Sequence, residues 1–275
     1  MTSLHRPAPA WFDRVEFVLV GTSHPGNVGA AARAMRAMGL RRLVLASPRD
    51  PRVCSHPEAI ARASRADDVL AAARVVPSLS QALADSTLAI AVSAETREFG
   101  PPAQDPQACV RVARDELAAH PSHRVSFVFG AERTGLSIDE VGLCQALCTI
   151  PGEDDYQSLN LAQAVQVVAW CLRAQAAEPP GASLQPERAA DAVSASPALA
   201  PDTSAPRHAT QAQVEALFEH LERALVGIGF LDPRHPKKLM PRLRRLFSRA
   251  RLEEEEVAIL RGVCTRIEKH TRTPR

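Results

Sequence analysis

The sequence lacks any apolar run long enough to cross a membrane. A transmembrane helix needs about 20 predominantly apolar residues, and no stretch of the 275-residue chain approaches that length without charges. Its first residues, MTSLHRPAPAWFDR, also lack the apolar core of a secretory signal. Because 45% of the residues are hydrophobic, the chain can still build a sizeable core. We therefore expect a soluble cytoplasmic protein with no membrane partner.

Cysteine is sparse and scattered. The chain has six cysteines, and only Cys144 and Cys148, in CQALC, lie close together, at the spacing of one helical turn. That spacing leaves metal ligation or redox work open, but the apolar surroundings favour ordinary buried thiols. We therefore expect no metal centre.

Acidic residues are absent from 234–251, RHPKKLMPRLRRLFSRAR, which holds eight Lys or Arg residues and is followed by EEEE. A basic segment of that density suits a polyanion, because phosphate contacts gain by releasing counterions. A solvated helix face balanced by the neighbouring glutamates is the alternative. Aromatic residues are few, with one Tyr, two Trp and eight Phe. Any nucleic acid would therefore be held mainly through phosphate and shape rather than base stacking.

The chain divides at residues 176–211, a segment rich in Ala and Ser that holds six prolines. That composition buries too little apolar surface to offset ordering, so it predicts a flexible linker. We expect a large domain over 1–175 and a small extension over 212–275. The extension shows three amphipathic helical patterns, near 214–225, 239–247 and 257–267.

Before the linker, short runs rich in β-branched residues alternate with Ala-rich helical patterns. The runs are VEFVLV, LVLA, LAIAVS, VSFVFG and ALCTI. Continuous apolar strands without strict alternation are typical of a parallel sheet covered on both faces. The sequence therefore predicts an α/β domain with a mostly parallel sheet between helices. One helix should open at Asn27 as its N-cap and stop at Gly39, and another should run from about Asn160 to Ala174.

Three segments share one layout, in which a strand ends in a polar or glycine loop and a helix follows. They are GTSHPGNVGAAARAMRAMGL, SFVFGAERTGLS and IPGEDDYQSLNLAQAVQV. In open α/β sheets ligands bind at the carboxyl edge, so we expect the three loops to form one site. The first segment has neither the G-x-G-x-x-G fingerprint nor the P-loop lysine. Arg33, two turns into its helix, is either a plain exposed arginine or a clamp for a phosphate or oxyanion.

The three segments together resemble a known family. NVGAAARAM, VFGAERTGL and IPGEDDYQSLNLAQAVQV are similar to the three signature motifs of the SpoU-type RNA 2′-O-ribose methyltransferases of the SPOUT superfamily, in the same order over roughly 140 residues. The pattern GF…HP…LRRLFSRAR…E…ILRG resembles the tail of the TrmJ branch, which methylates the ribose of nucleotide 32 in the tRNA anticodon loop. The linker departs from the family pattern in its richness in Ala and Pro.

The resemblance implies a fold and a reaction. It implies an α/β domain whose C-terminal part forms a deep trefoil knot, a homodimer that completes the site across its interface, and S-adenosylmethionine as cofactor. The implied activity is 2′-O-methylation of cytidine or uridine at position 32 of tRNA. An rRNA or another tRNA position is the alternative substrate, and a non-catalytic RNA-binding knot protein is the alternative class. A nucleotide oxidoreductase is disfavoured by the missing fingerprint.

The resemblance also assigns residues to the cofactor and to RNA. Strand-end loops would hold the cofactor through Val92, Ser93, Ala94, Gly130, Ile150, Gln157, Ser158 and Leu159. The basic tail would contact the anticodon stem through Lys237, Lys238, Arg242, Arg244, Arg245, Arg249 and Arg251.

The catalytic group implied by the resemblance is Arg33, Glu132, Ser158 and Asn27. Arg33 has two candidate roles, as general base or as a charged group that grips the adjacent phosphate and stabilises the developing alkoxide; because guanidinium stays protonated in proteins, we favour the second. Glu132 would orient Arg33 or a neighbouring loop. Ser158 would touch the target ribose or the cofactor, and Asn27 would cap its helix and hold the substrate or a partner loop. No role follows for Arg133.

Overall fold

Seven parallel strands form one sheet in the described part of the chain. The computed structural model describes residues 7–98, 100–153, 158–176 and 206–272. The sheet order is β3-β2-β1-β6-β4-β7-β5, and every pairing is parallel. The strands are β1 (Val15–Val20), β2 (Arg42–Ala46), β3 (Arg74–Val76), β4 (Leu88–Val92), β5 (Ala103–Gln104), β6 (Val125–Phe129) and β7 (Ala146–Cys148). The predicted α/β class with a parallel sheet is thus confirmed.

The central strands are apolar on both faces because helices cover both sides. In β1, Phe17 and Leu19 join one buried cluster, while Val18 and Val20 join another on the opposite face. The five apolar runs identified in the sequence all become strands. The two strands that the sequence did not reveal, β3 and β5, are short and largely exposed, and they therefore carry no apolar signal.

Helices lie on both faces, as predicted. The first apolar cluster holds residues of α1, α2, α3, α5 and α7, and the second holds residues of α4 and α6. The helices of this part of the chain are α1 (Pro25–Met38), α2 (Pro57–Ala63), α3 (Asp67–Ala71), α4 (Leu79–Ala82), α5 (Pro106–Ala119), α6 (Ile138–Gly142) and α7 (Leu161–Gln175), with short 3-10 helices at Ala10–Arg14 and Val53–Ser55.

Helix α1 starts three residues earlier than predicted. Its N-cap is His24 and its first residue is Pro25, so Asn27 is the third residue and not the cap. Proline suits the first helical position because its missing N–H would have had no partner there. Gly39 ends the helix with φ 88°, as expected. Inside the helix, a Cβ on Gly29 would lie 2.0 Å from the Ala59 carbonyl oxygen, so this glycine allows α2 to pack closely.

Three helices form the C-terminal unit, close to the predicted ranges. They are α8 (Gln211–Gly227), α9 (Leu239–Ala250) and α10 (Glu254–Arg272). Leu217, Leu252 and Val257 lie in its small core, against which Phe247 packs. Helix α8 contacts α4 and helix α9 contacts α6, so the unit sits on the second face of the sheet. Residues 177–205 of the predicted linker lie outside the described residues.

The cysteines are free thiols, and all but the half-buried Cys54 are buried. Cys144 and Cys148 do not share a helical turn, because Cys144 follows α6 and Cys148 lies in β7, in different apolar clusters. Burial, with the nearby Glu140 carboxylate, raises the pKa of the Cys144 thiol to about 12. The preference for buried thiols is therefore confirmed. Within the described ranges, no helix has the length and apolarity required to span a bilayer.

Candidate active site at the carboxyl edge of the sheet

The loop after β6 is fastened to the loop after β1 through one carboxylate. Glu132 accepts hydrogen bonds from the Ser23 N–H (3.1 Å), the Ser23 hydroxyl (3.2 Å) and the His24 N–H (3.2 Å). It also accepts one from the Asn27 side-chain amide at 3.2 Å. A negative charge at the N-terminus of α1 is favoured by the unpaired amides and by the helix dipole. Glu132 therefore supplies the cap that the His24 side chain does not provide.

Asn27 joins the third loop to the other two. Its Oδ1 accepts a hydrogen bond from the Asn160 Nδ2 at 3.0 Å, while its own Nδ2 donates to Glu132. Asn160 caps α7 by accepting from the Ala162 N–H at 2.9 Å, and Gln163 completes a capping box. The three loops are thus linked by one chain of hydrogen bonds, which we call the Glu132–Asn27–Asn160 relay.

The relay shows which groups Glu132 and Asn27 contact within the chain. Glu132 orients the neighbouring loop and the start of α1, and its hydrogen bonds do not go to Arg33. Asn27 does not cap α1, and its side chain contacts Asn160 and Glu132 of its own chain. Its contact with the substrate or a partner loop stays a prediction. Arg33 is exposed on α1, and among the described residues no hydrogen bond or ion pair engages its side chain. Its guanidinium is available to an anion outside the chain.

The environment of Glu132 keeps it ionised. Partial burial alone would raise the pKa of this carboxyl, but hydrogen bonds from its own N–H, from the Asn27 amide and from the Ser23 and His24 N–H groups hold the pKa below its usual value. Donors that bond to the charged form stabilise that form. Glu132 is therefore a fixed acceptor and not an acid or base near neutral pH.

Gly130 and Gly135 let the second loop fold back on itself. A Cβ on Gly130 would lie 2.2 Å from the Gly135 carbonyl carbon, and Gly135 has φ 62°. A side chain at the first position would clash with backbone, and one at the second would be strained. The glycines therefore close a tight loop, bridged between Ala131 and Gly135, that presents Glu132 and Arg133. Gly130 also lines the cavity described next.

A cavity of about 240 Å³ opens among the ends of β4 and β6 and the start of α7. Seven of the eight residues predicted for the cofactor line it, and the eighth, Gln157, lies outside the described residues. Arg33 is not among the described residues that line this cavity. The seven are Val92, Ser93, Ala94, Gly130, Ile150, Ser158 and Leu159.

Arg97 has a role here that the sequence did not predict. Its Nε and Nη2 donate to the Leu136 carbonyl oxygen at 3.3 and 3.1 Å, and its Nη1 pairs with Glu95. Arg97 thereby fixes the loop after β4 to the loop after β6. Nothing in the local sequence AETR distinguishes it from an exposed arginine, and only its place just after a buried strand pointed to this edge. Arg133, exposed, lies at the same cavity.

Two of the arginines predicted to bind RNA are engaged by internal carboxylates. Arg244 binds Glu215 with both terminal nitrogens and lies 4.5 Å from the centroid of the Phe218 ring. Arg251 donates to Glu116 at 2.8 Å. Both guanidinium groups therefore form internal ion pairs, and a guanidinium already bound to a carboxylate has less to gain from a phosphate. Their role in RNA binding stays a prediction. Charge counting along the sequence could not separate them from the other cations.

The remaining predicted RNA contacts lie on or near α9. Lys237, Arg242 and Arg249 are exposed, Lys238 pairs with Glu98 at 2.5 Å, and Arg245 is half-buried. Arg245 lines a groove of about 620 Å³ that runs from α9 to the residues at or just beyond the ends of β1, β2 and β3. The basic helix thus borders the same edge of the sheet as the three motif loops.

Two family models match the chain. The SpoU rRNA Methylase family matches residues 14–170. The model for the C-terminal domain of tRNA methyltransferase TrmJ matches residues 212–275. The two ranges cover both described units of the protein.

Relatives and solved structures agree with these matches. A tRNA (cytidine/uridine/adenosine-2′-O-)-methyltransferase TrmJ of Pseudomonas aeruginosa is 40% identical over 94% of this chain and 96% of its own. A tRNA (cytidine/uridine-2′-O-)-methyltransferase TrmJ of Yersinia pestis is 39% identical over 94% and 93%. The crystal structure of TrmJ from Z. mobilis ZM4 matches with a TM-score of 0.74 and 30% identity, over 92% of this chain and 98% of that one. A probable methyltransferase from Bordetella pertussis matches with a TM-score of 0.57 and 46% identity, over 59% and 96%.

Proposed function

Because this chain belongs to the SpoU methylase family and, over nearly its whole length, to its TrmJ tRNA methyltransferases, we propose that it methylates the ribose 2′-hydroxyl of a tRNA nucleotide. The observation that carries the proposal is the Glu132–Asn27–Asn160 relay, which joins the three motif loops by hydrogen bonds. The second and third of these loops line the cavity, and the first is fastened to them through Asn27. Positioning of the hydroxyl against the methyl donor supplies much of the rate in such a transfer. An enzyme that acts on tRNA is expected in the cytoplasm.

The substrate position we propose is cytidine or uridine 32 of the anticodon loop. The match to the TrmJ C-terminal domain supports a tRNA substrate, because that unit carries the basic helix α9. The TrmJ of Pseudomonas aeruginosa is named for adenosine as well as cytidine and uridine. The range of accepted bases therefore has to be read from the modified tRNA.

The cavity fits S-adenosylmethionine as the cofactor. Apolar side chains of Val92, Ile150 and Leu159 could cover a flat adenine ring, while Ser93, Ser158 and strand-end backbone groups offer polar contacts. Arg133 at the same cavity is a suitable partner for a carboxylate. When bound, the cofactor supplies an electrophilic methyl group. Gln157 stays in the proposed set, although it lies outside the described residues.

We propose that Arg33 acts on the cavity of a second subunit. The side chain is exposed and does not line the cavity of its own chain as the described residues define it. Trp170 on the neighbouring helix α7 is 54% exposed and offers apolar surface to a second subunit. A homodimer would satisfy both observations. The family's deep trefoil knot, at the C-terminal end of the α/β domain, belongs to the same proposal.

In the assembled site, the charged Arg33 grips the phosphate beside the target ribose and stabilises the 2′-oxygen as its proton passes to solvent water. A guanidinium suits this work because it presents several donors in a plane to phosphate oxygens. Ser158, exposed at the cavity, lies within the region where ribose and cofactor would meet. Asn27 and Glu132 hold the loops and take no proton.

Mapping the methylated nucleotide by mass spectrometry tests this proposal. We expect tRNA incubated with the protein and S-adenosylmethionine to gain one methyl group on the ribose of nucleotide 32. Isothermal calorimetry should show binding of S-adenosylmethionine and none of NADH. A methyl group on a base, or transfer to rRNA alone, would contradict the proposed reaction or substrate.

We also expect tRNA binding to weaken steeply with salt. Contacts to phosphate release counterions, so the logarithm of the association constant falls linearly with the logarithm of the salt concentration. The chain has few aromatic side chains to stack on bases, so it has little salt-independent affinity to compensate for lost phosphate contacts. Filter binding from about 50 to 200 mM salt measures the slope, and the matched variant Arg249→Gln should make it shallower. An affinity that does not change over this range would exclude α9 as the phosphate-binding surface.

A further inference from the structure

A buried carboxylate joins the α/β domain to the C-terminal unit. The side chain of Glu116, on α5, is only 3% exposed. Its Oε2 accepts from the Arg251 Nη2 at 2.8 Å and from the His208 Nδ1 at 2.9 Å, and its Oε1 accepts from the Thr87 hydroxyl. We call Glu116, Thr87, His123, His208 and Arg251 the Glu116 cluster. Two of its members belong to the chain beyond residue 206, so the cluster bridges the two units.

The Glu116 cluster keeps its carboxylate charged. Burial alone would raise the pKa of Glu116, but the Arg251 guanidinium and the Thr87 hydrogen bond hold the pKa below its usual value. A buried charge is tolerated only when it is paired and fully hydrogen-bonded. Removal of the carboxylate's charge would therefore leave the Arg251 guanidinium without its counter-ion.

His123 in the same cluster is held neutral. The ring is completely buried, and burial lowers its pKa despite the nearby Glu116 carboxylate. Its Nδ1 lies 3.0 Å from the Glu116 carbonyl oxygen, and its Nε2 accepts from the His208 N–H at 3.1 Å. The His208 ring stacks on it with centroids 5.1 Å apart. Both ring nitrogens are therefore used in fixing the chain that enters the C-terminal unit.

The backbone around the cluster repeats the same connection. Gln211, the first residue of α8, donates its N–H to the Ser86 carbonyl oxygen at 2.8 Å, and Ala212 donates to the Ala84 carbonyl oxygen at 3.2 Å. Arg251 ends α9 with φ 54° and also donates to the Thr87 carbonyl oxygen at 3.1 Å. Because the residue that ends α9 is the one that reaches Glu116, the cluster fixes where the basic helix lies.

A metal-binding site is the alternative interpretation of these side chains. Ligand atoms of Glu116, His123 and His208 lie within 4.8 Å of one another. The Arg251 guanidinium, however, already occupies the carboxylate at 2.8 Å, and a second cation there would be repelled. Both nitrogens of His123 have hydrogen-bond partners. The geometry therefore favours an ion pair with a hydrogen-bond network over metal ligation.

We propose that Glu116 is a positioning residue that docks the C-terminal unit, so that the cations of α9 stand beside the edge of the sheet where the methyl transfer takes place. This inference rests on the proposed function as a tRNA methyltransferase. Glu116 itself contacts neither substrate nor cofactor. Its contribution is to the productive binding of tRNA, which must touch α9 and the cavity at once.

The variant Glu116→Gln tests the docking role, with Asp115→Asn as its matched control. Asp115 is the exposed neighbour on the same helix, and the two changes remove the same charge. We expect Glu116→Gln to raise the KM for tRNA about tenfold, with the KM for S-adenosylmethionine and kcat at saturating tRNA unchanged. Loss of a negative charge should by itself strengthen RNA binding, as in the control, so weaker binding points to lost docking. The slope of affinity against salt should also become shallower.

Hydrogen exchange keeps the inference testable if the variant folds poorly. In the wild type, the N–H groups of Gln211 and Ala212, which bond to the α/β domain, should be protected. In a folded Glu116→Gln protein they should exchange faster while strands β1 and β6 stay protected. Rapid exchange of both amides in the wild type would overturn the inference, as would a tRNA KM equal to that of the control. If zinc raises the thermal stability of the wild type and Glu116→Gln abolishes that rise, the Glu116 cluster binds a metal ion and the docking role is rejected. Absence of methylation by the wild type would instead reject the proposed function. The hydrogen-exchange data would still show whether Glu116 docks the C-terminal unit.

Discussion

Arg33→Ala should lower kcat/KM for tRNA methylation by about a thousandfold, while the Kd for S-adenosylmethionine stays unchanged. Removing one preorganised donor from a developing oxyanion typically reduces the rate by two to three orders of magnitude, and Arg33 is also proposed to hold the adjacent phosphate. The cofactor Kd should not change, because the proposed contacts of Arg33 are the ribose oxygen and the adjacent phosphate, and both belong to the tRNA. Single-turnover methylation and calorimetry measure the two quantities.

Arg62→Ala is the control for this change. Arg62 is likewise exposed on a helix of the same face, and the described residues give it no hydrogen bond or ion pair. It should retain wild-type activity, so that loss of activity in the Arg33 variant cannot be ascribed to a general loss of positive charge. Full activity of Arg33→Ala would remove it from the catalytic group.

Arg33→Lys separates the two roles considered for this residue. If Arg33 works through its charge, lysine should recover part of the rate, and the pH dependence of kcat should keep its wild-type shape. If Arg33 were the general base, the lysine variant should shift that dependence toward the range in which lysine titrates, near pH 10. A shifted pH dependence of kcat would therefore favour the general-base role of Arg33.

The strands and the motif loops could be predicted because their signals are local. A central strand such as β6 is buried along its whole length, and the start of a helix such as α7 is marked by a capping box of Asn160 and Gln163. The convergence of the three loops followed from a general rule about parallel sheets. The start of α1 was misplaced because Asn27 is a good cap residue in isolation. In the fold, the N–H groups at the start of α1 donate to Glu132, which lies 105 residues beyond Asn27 in the chain.

What could not be predicted depends on pairings between distant residues. The sequence shows eight cations between 234 and 251 but not that Arg251 is turned inward to Glu116, 135 residues away. The partner of Glu132 was likewise undetermined between Arg33 and a loop. The strands β3 and β5 are held in the sheet by pairing with β2 and β7 and not by burial of their own side chains. These features are set by tertiary contacts, which override local patterns.

Glu132→Ala should destabilise the protein and disable the site together. The change leaves the Ser23 and His24 N–H groups and the Asn27 amide without their acceptor. Loss of a charged acceptor at a helix start lowers the free energy of unfolding by about 2 kcal/mol. Because the same carboxylate joins the first two loops, we also expect about a hundredfold loss in kcat/KM, in line with small misplacements of catalytic groups. Urea unfolding and methylation assays measure the two effects.

The pH dependence of stability distinguishes a carboxylate cap from mere loss of side-chain packing. Because hydrogen bonds hold the folded pKa of Glu132 below its unfolded value, its stabilisation is fully present above about pH 5 and is lost as the pH falls through the folded pKa. The difference in unfolding free energy between wild type and Glu132→Gln should therefore be constant near neutral pH and shrink below about pH 4. Asp139→Asn, an exposed carboxylate on α6, should show no such difference. A gap between wild type and Glu132→Gln that persists unchanged in acid would mean that the charge is not what ties the loops together.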